Sequence, residues 1–284
     1  MRTWTLETSD PLNLSLSADS RLAKLDYLND HIWEMQLGHG APAAILLHTT
    51  YGLRAHHMRI FPTFTEKLLT LSDPAQFHQP PVIRHFYPNY LDLICSPFAG
   101  IDVQLEYWVP DCQTLAGRIK LSNNDTGEKK LQMELVGLLN PSKGGQSMLP
   151  EQMEAVWILR GQTDDLSPVI FITGGATGIS SPYPALRHQL SLQPGDFRQY
   201  TWVQAALPEK EQSFQHARAT AARNWDAERS KIEICNSGQL EIYTGNPDWD
   251  AAFSLGQKTA YGLLYDADHS LPHPSFVSSR LPDQ

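Results

Sequence analysis

The sequence predicts a mainly β protein, a large antiparallel β-sandwich followed by helices. Three observations carry that fold class. In residues 101–109, Ile101, Val103, Leu105, Tyr107 and Val109 alternate with Asp102, Gln104 and Glu106, the period of two that marks a half-buried strand. The runs after it repeat the pattern across short polar turns, leaving no room for the helical crossover that a parallel return needs. Near Pro208 the period changes to three and four residues, which marks helix.

The elements follow in order. Residues 43–48 and 91–96 read as short apolar strands. Leu115, Gly117, Ile119 and Leu121 alternate with Arg118 and Lys120. After the turn Asn123-Asn-Asp-Thr-Gly127, Leu131, Met133, Leu135 and Leu139 alternate with Gln132 and Glu134, so residues 101–139 read as an antiparallel meander. Runs 155–161 and 168–173 add strands. In Gln193-Pro-Gly-Asp196, Pro then Gly suits a type II turn, joining Leu190 and Leu192 to 197–206 as a hairpin. Phe214, Ala217, Ala221 and Trp225 then form the stripe of one amphipathic helix over 209–232, followed by a short strand at 240–243. Asn246 suits an N-cap, Pro247 the first helical position, and Asp248 and Asp250 the positive end of the helix dipole. Trp249, Phe253, Gly256, Ala260, Leu263 and Leu264 continue that helix, and 271–284 reads as an extended loop with nothing after it to pack on. The expected organisation is a β-sandwich domain over 1–207, a linker helix and strand over 208–245, and the start of a helical domain over 246–284.

Composition excludes several function classes. The net charge of −9, from 31 acids against 22 bases, lacks the basic face of a sequence-independent nucleic-acid binder. No apolar run is long enough to span a membrane, and the N-terminus has no apolar signal core, so a cytoplasmic location is expected and the sequons at Asn13 and Asn124 are discounted. Cys95, Cys112 and Cys235 form no Cys-x-x-Cys pair and sit beside apolar stretches, as buried free thiols do.

Each chemical motif meets a structural alternative. Val169-Ile-Phe-Ile-Thr-Gly-Gly-Ala-Thr-Gly-Ile-Ser180 resembles the dinucleotide loop of short-chain dehydrogenases. The following Ser-Pro-Tyr-Pro184 cannot start the required helix, however, and no Tyr-x-x-x-Lys follows, so a Gly-rich turn leaving a buried strand is the reading. His56 and His57 point to opposite faces of a strand, no Cys/His set has zinc spacing, and no Gly-x-Ser-x-Gly elbow occurs. No cofactor, metal site or catalytic residue is assigned. A glycosidase needs two facing carboxylates, and nothing local identifies such a pair, because capping explains Asp248 and Asp250. Arg280 and Asp283 lie with Ser278 and Ser279 in the extended loop. They are either a substrate-binding pair that holds vicinal sugar hydroxyls or a mutual surface ion pair.

The order of elements, with Thr49-Thr-Tyr-Gly-Leu-Arg54, Glu106-Tyr-Trp-Val-Pro110, Thr244-Gly-Asn-Pro-Asp-Trp-Asp-Ala-Ala-Phe253 and the stretch 271–284, resembles the front of bacterial glycogen-debranching-like (amylo-α-1,6-glucosidase-like) glycoside hydrolases. Those join an N-terminal β-supersandwich to an (α/α)6 helical barrel. The resemblance implies that the helix from Asn246 is the first of a truncated barrel. It also implies that Arg280 and Asp283 approach a sugar site, and that the catalytic carboxylates lie beyond Gln284. The implied reaction is hydrolysis of an α-glucosidic bond by a carboxylic acid and a carboxylate base. The implied partners are an oligosaccharide or glucan and, within the same protein, the missing helical catalytic domain. The alternative is a stand-alone carbohydrate-binding or scaffold β-sandwich protein that stacks sugars on exposed Trp and Tyr.

Overall fold

The computed structural model describes residues 4–5, 12–37, 44–267 and 271–280. They form a mainly β protein of two antiparallel sheets with three helices towards the C-terminus. The first sheet runs Trp4–Thr5, Gln79–Tyr87, Tyr90–Phe98, Ile101–Asp111, Thr114–Asn123, Phe197–Leu207, Ser167–Ile172, Val156–Gln162, Gln146–Met153. The second runs Thr177–Ile179, Ala185–Leu192, Lys129–Pro141, Ala55–Glu66, Leu46–Thr49, Trp33–Leu37, Leu12–Leu16, with Leu69–Leu71 folding back on Ala55–Glu66.

Alternation decides what lies between the sheets. Ile101, Val103, Leu105, Leu121, Ile60, Met133 and Leu135 all enter one apolar core drawn from both sheets. Gly137 of the second sheet marks a close approach: a Cβ there would lie 2.6 Å from Ile170 and 3.1 Å from Leu159 of the first. Cys95 and Cys112 are buried free thiols, while Cys235 is only half-buried.

The sheets exchange strands where a simple meander and hairpin were expected. Ile101–Asp111 and Thr114–Asn123 do pair, but Lys129–Pro141 leaves for the second sheet. The turn at Gln193 has the expected geometry, with Gly195 at φ +81° and the Asp196 N–H donating to Gln193 O at 2.9 Å. It nevertheless joins Ala185–Leu192 of the second sheet to Phe197–Leu207 of the first. Fully buried Asn123 ties both crossings together, its Nδ2 donating to Gly127 O at 2.8 Å and Leu192 O at 2.9 Å. The Gly-rich stretch is also a sheet-to-sheet turn, with Gly174 and Gly175 both at positive φ and no helix behind them. In Thr49-Thr-Tyr-Gly-Leu-Arg54, three consecutive residues, Tyr51, Gly52 and Leu53, are left-handed. Buried Tyr51 is held there by the Gln204 Nε2, 2.9 Å from its hydroxyl.

Residues 209–232 form two helices rather than the single one expected, α1 (Lys210–Ala221) and α2 (Trp225–Cys235). The break comes from Asn224, whose side chain accepts from the Ala227 N–H as an N-cap, so the apolar stripe restarts at Trp225. Both helices lie on the outer face of the first sheet. Small residues there, Ala116 and Ala205 against Ala217, let helix and sheet approach, and Trp225 meets Trp108 edge-on at 5.7 Å. No strand forms at 240–243. α3 (Pro247–Gly262) begins as expected, with Asn246 accepting from the Asp248 and Trp249 N–H groups. The described part of the final stretch, 271–280, packs back on what precedes it. Ser275–Phe276 pairs with Leu264–Tyr265, and Leu271 and Val277 rest on the main core.

Candidate functional site

Asp283 lies outside the described residues. Arg280 is well placed, and its guanidinium points inward with its side chain 4 % exposed. Nε donates to Asp30 Oδ2 at 2.7 Å, and Nη2 lies 2.6 Å from the same oxygen. Nη1 donates to Ser17 Oγ at 2.5 Å, Ala18 O at 2.8 Å and Gly262 O at 2.9 Å. Tyr265 completes the cluster, its hydroxyl donating to Asp30 Oδ2 at 2.5 Å and its ring lying under the guanidinium. Burial first, and the neighbouring Asp30 carboxylate after it, hold the Tyr265 proton in place. This arrangement fastens the C-terminal segment to the β-domain, and a sugar contact by Arg280 would require exchanging these partners.

A second polar centre lies on the outer face of the first sheet, and it starts from a register fault. Ile83 pairs with Leu93, but His85 pairs with Asp92, so Arg84 is the extra residue of a β-bulge. In a regular strand, neighbours point to opposite faces. Here the bulge brings both to one carboxylate: Arg84 Nη2 and Nε lie 3.0 and 3.2 Å from Asp92 Oδ2, and His85 Nδ1 lies 2.9 Å from it. Gln104 Nε2 donates to the other oxygen at 3.0 Å. Burial alone would push the fully buried Asp92 carboxyl up. The His85 hydrogen bond, the Arg84 charge and Gln104 outweigh burial and hold it below the usual carboxylate range.

Glu106, opposite Asp92 on the next strand, is neutralised separately. It accepts from the Tyr90 hydroxyl and from Arg118 Nε, both at 2.5 Å, and from Trp225 Nε1 at 3.3 Å. Both carboxylates are closed off from solvent, at 0 % and 2 % exposure, so neither can serve a bound substrate as acid or base. They act as anchors. The groups that Asp92 holds are Arg84, which is partly exposed, and His85, which is largely buried.

Those two side chains line a cleft of about 350 Å³ between the Gln79–Tyr87 strand, the 233–243 stretch and α3. Tyr87, Glu233, Tyr243 and Lys258 line it as well, and the Tyr243 hydroxyl donates to Glu241. Arg84 also borders a second hollow of about 440 Å³ that runs over Gln104, Asp102 and Lys120. Among the described residues, no cluster of His, Cys, Asp and Glu is arranged to hold a metal. Sequence reasoning missed this centre. Its available signal was a residue at odds with its surroundings: the charged Asp92 inside an apolar strand, and the apolar Trp108 on the polar face of Ile101–Asp111.

No described protein family matches the chain, and no curated protein matches it. Solved structures do. A bacterial glucoamylase complexed with acarbose aligns over 91 % of this chain and 43 % of its own, at 9 % identity and a TM-score of 0.56. A putative kojibiose phosphorylase from the human microbiome aligns over 91 % and 39 %, at 9 % identity and a TM-score of 0.43. A family GH92 alpha-mannosidase from Bacteroides thetaiotaomicron aligns over 93 % and 39 %, at 10 % identity and a TM-score of 0.39. The chain thus spans less than half the length of these proteins. The first likeness establishes a fold shared with the aligned part of that glucoamylase. Among the described residues, no helix is long and apolar enough to cross a membrane.

Proposed function

We propose that this chain is the supporting β-domain and linker of a glycoside hydrolase acting on α-glucosidic bonds, of the glycogen-debranching-like kind. Its catalytic carboxylates would lie in a helical domain of which α3 is the first helix. The observation that carries the reading is the alignment of 91 % of this chain with 43 % of a glucoamylase. The state of α3 agrees with it: Trp249 and Phe253 on that helix are exposed, as a face awaiting further helices would be. In this reading the chain performs no bond cleavage, since Asp92 and Glu106 are sealed anchors. Arg280 positions the segment leading to the sugar site by clamping it to Asp30, and Asp283 remains the candidate contact.

The test is the gene beyond Gln284. An open frame of several hundred codons rich in helical hairpins is expected, and its full product should hydrolyse an α-glucan that the 284-residue chain leaves intact. An authentic stop codon at that point overturns the proposal.

A further inference from the structure

We infer that the cleft beside the Arg84 bulge is a binding site for a neutral oligosaccharide, an inference that builds on the carbohydrate class of the proposed function. Its volume, about 350 Å³, falls within the range of small-molecule sites. Its lining is polar on most sides, yet its charges nearly balance, with Arg84 and Lys258 against Glu233 and Glu241. A site for an ion would show an excess of one sign, whereas a polyhydroxylated ligand needs donors and acceptors together. The largely exposed Tyr243 adds a flat ring of the kind that covers the C–H face of a sugar.

The bulge is the second, independent mark. An extra strand residue whose side chain is braced by a fully buried carboxylate is pre-organised at a cost in ladder hydrogen bonds that sheet formation does not require. The Asp92 bonds occupy Nε and Nη2 of Arg84 and Nδ1 of His85. Arg84 Nη1 and His85 Nε2 take no part in that network, and both residues line the cleft, where a planar guanidinium suits a pair of adjacent hydroxyls.

Calorimetric titration of the chain with maltotriose and maltohexaose tests this. Saturable heat is expected, weakened about tenfold or more by Tyr243→Ala, an exposed change that spares the fold, and by Arg84→Gln. Trp249→Ala, outside the cleft, should bind as the parent does. Absence of saturable heat at millimolar sugar overturns the inference, and so does unchanged affinity in Tyr243→Ala. The gene test above is separate. An open frame without sugar heat removes only this site, and a stop codon with sugar heat removes only the glycosidase reading.

Discussion

His31 is the side chain through which acid should reach the fold. It is buried edge-on to Tyr51, ring centroids 4.9 Å apart, and burial first, then the Arg54 charge, lower its pKa to about 3. An unfolded chain takes up that proton near the ordinary histidine value, and the native chain does so only near 3. Between those values the unfolded state binds more protons, so stability falls as pH falls, and above the ordinary value the group has no effect. Asp92, also depressed, adds stability above the usual carboxylate range that is lost on acidification. Urea unfolding at neutral pH and near pH 4 should therefore show a drop that His31→Leu reduces. Arg280→Ala makes a contrasting prediction. It strands Asp30, 4 % exposed, without its cation and should cost about 3–5 kcal/mol in the same assay, with little recovery in Arg280→Lys. A freely exposed sugar contact would leave stability nearly unchanged.

At the scale of elements, two substitutions probe how the helices and strands are placed. Asn224→Ala removes the cap that separates α1 from α2 and should cost about 1 kcal/mol, measured by thermal or urea unfolding. Gly117→Ala puts a Cβ 2.3 Å from the Trp202 ring and should cost about 1–3 kcal/mol. The strands themselves were legible, since period two needs only local burial. Their assignment to sheets was not: the Gln193 turn has the expected type, yet nothing in its residues tells a hairpin from a crossing between layers. The single expected helix failed for a related reason. Trp225 extends the stripe of Phe214 and Ala217 at the right spacing, and the Asn224 cap inside that stripe was the signal passed over. The Arg84 bulge was out of reach altogether, because a register fault exists only relative to the partner strand. Arg280 was singled out correctly as unusual, but a distant Asp30 decides what it does.

Across the whole molecule, order is graded. Residues of both sheets fill one continuous core, whereas Asp250 is the only buried residue of α3. Leu240, Tyr243, Trp249, Phe253 and Phe276 are all exposed. Hydrogen exchange should therefore be fastest through 237–263 and slowest in Ile101–Asp111 and Thr114–Asn123 at the centre of the first sheet. Equal protection in α3 and those strands would contradict this gradient. The short contact of Ser275–Phe276 with Leu264–Tyr265, backed by Arg280, should protect residues 275–280 better than the middle of the helix before them.

The bulge at Arg84 leaves the stretch Val82–Tyr87 with one residue more than its ladder uses. Without that residue, Ile83 opposite Leu93 would be followed directly by His85 opposite Asp92, an unbroken register from Val82 to Tyr87 with every other side chain there on its present face. Loss of a single codon, which ruins most strands, would here mend the sheet and delete only the guanidinium at the cleft.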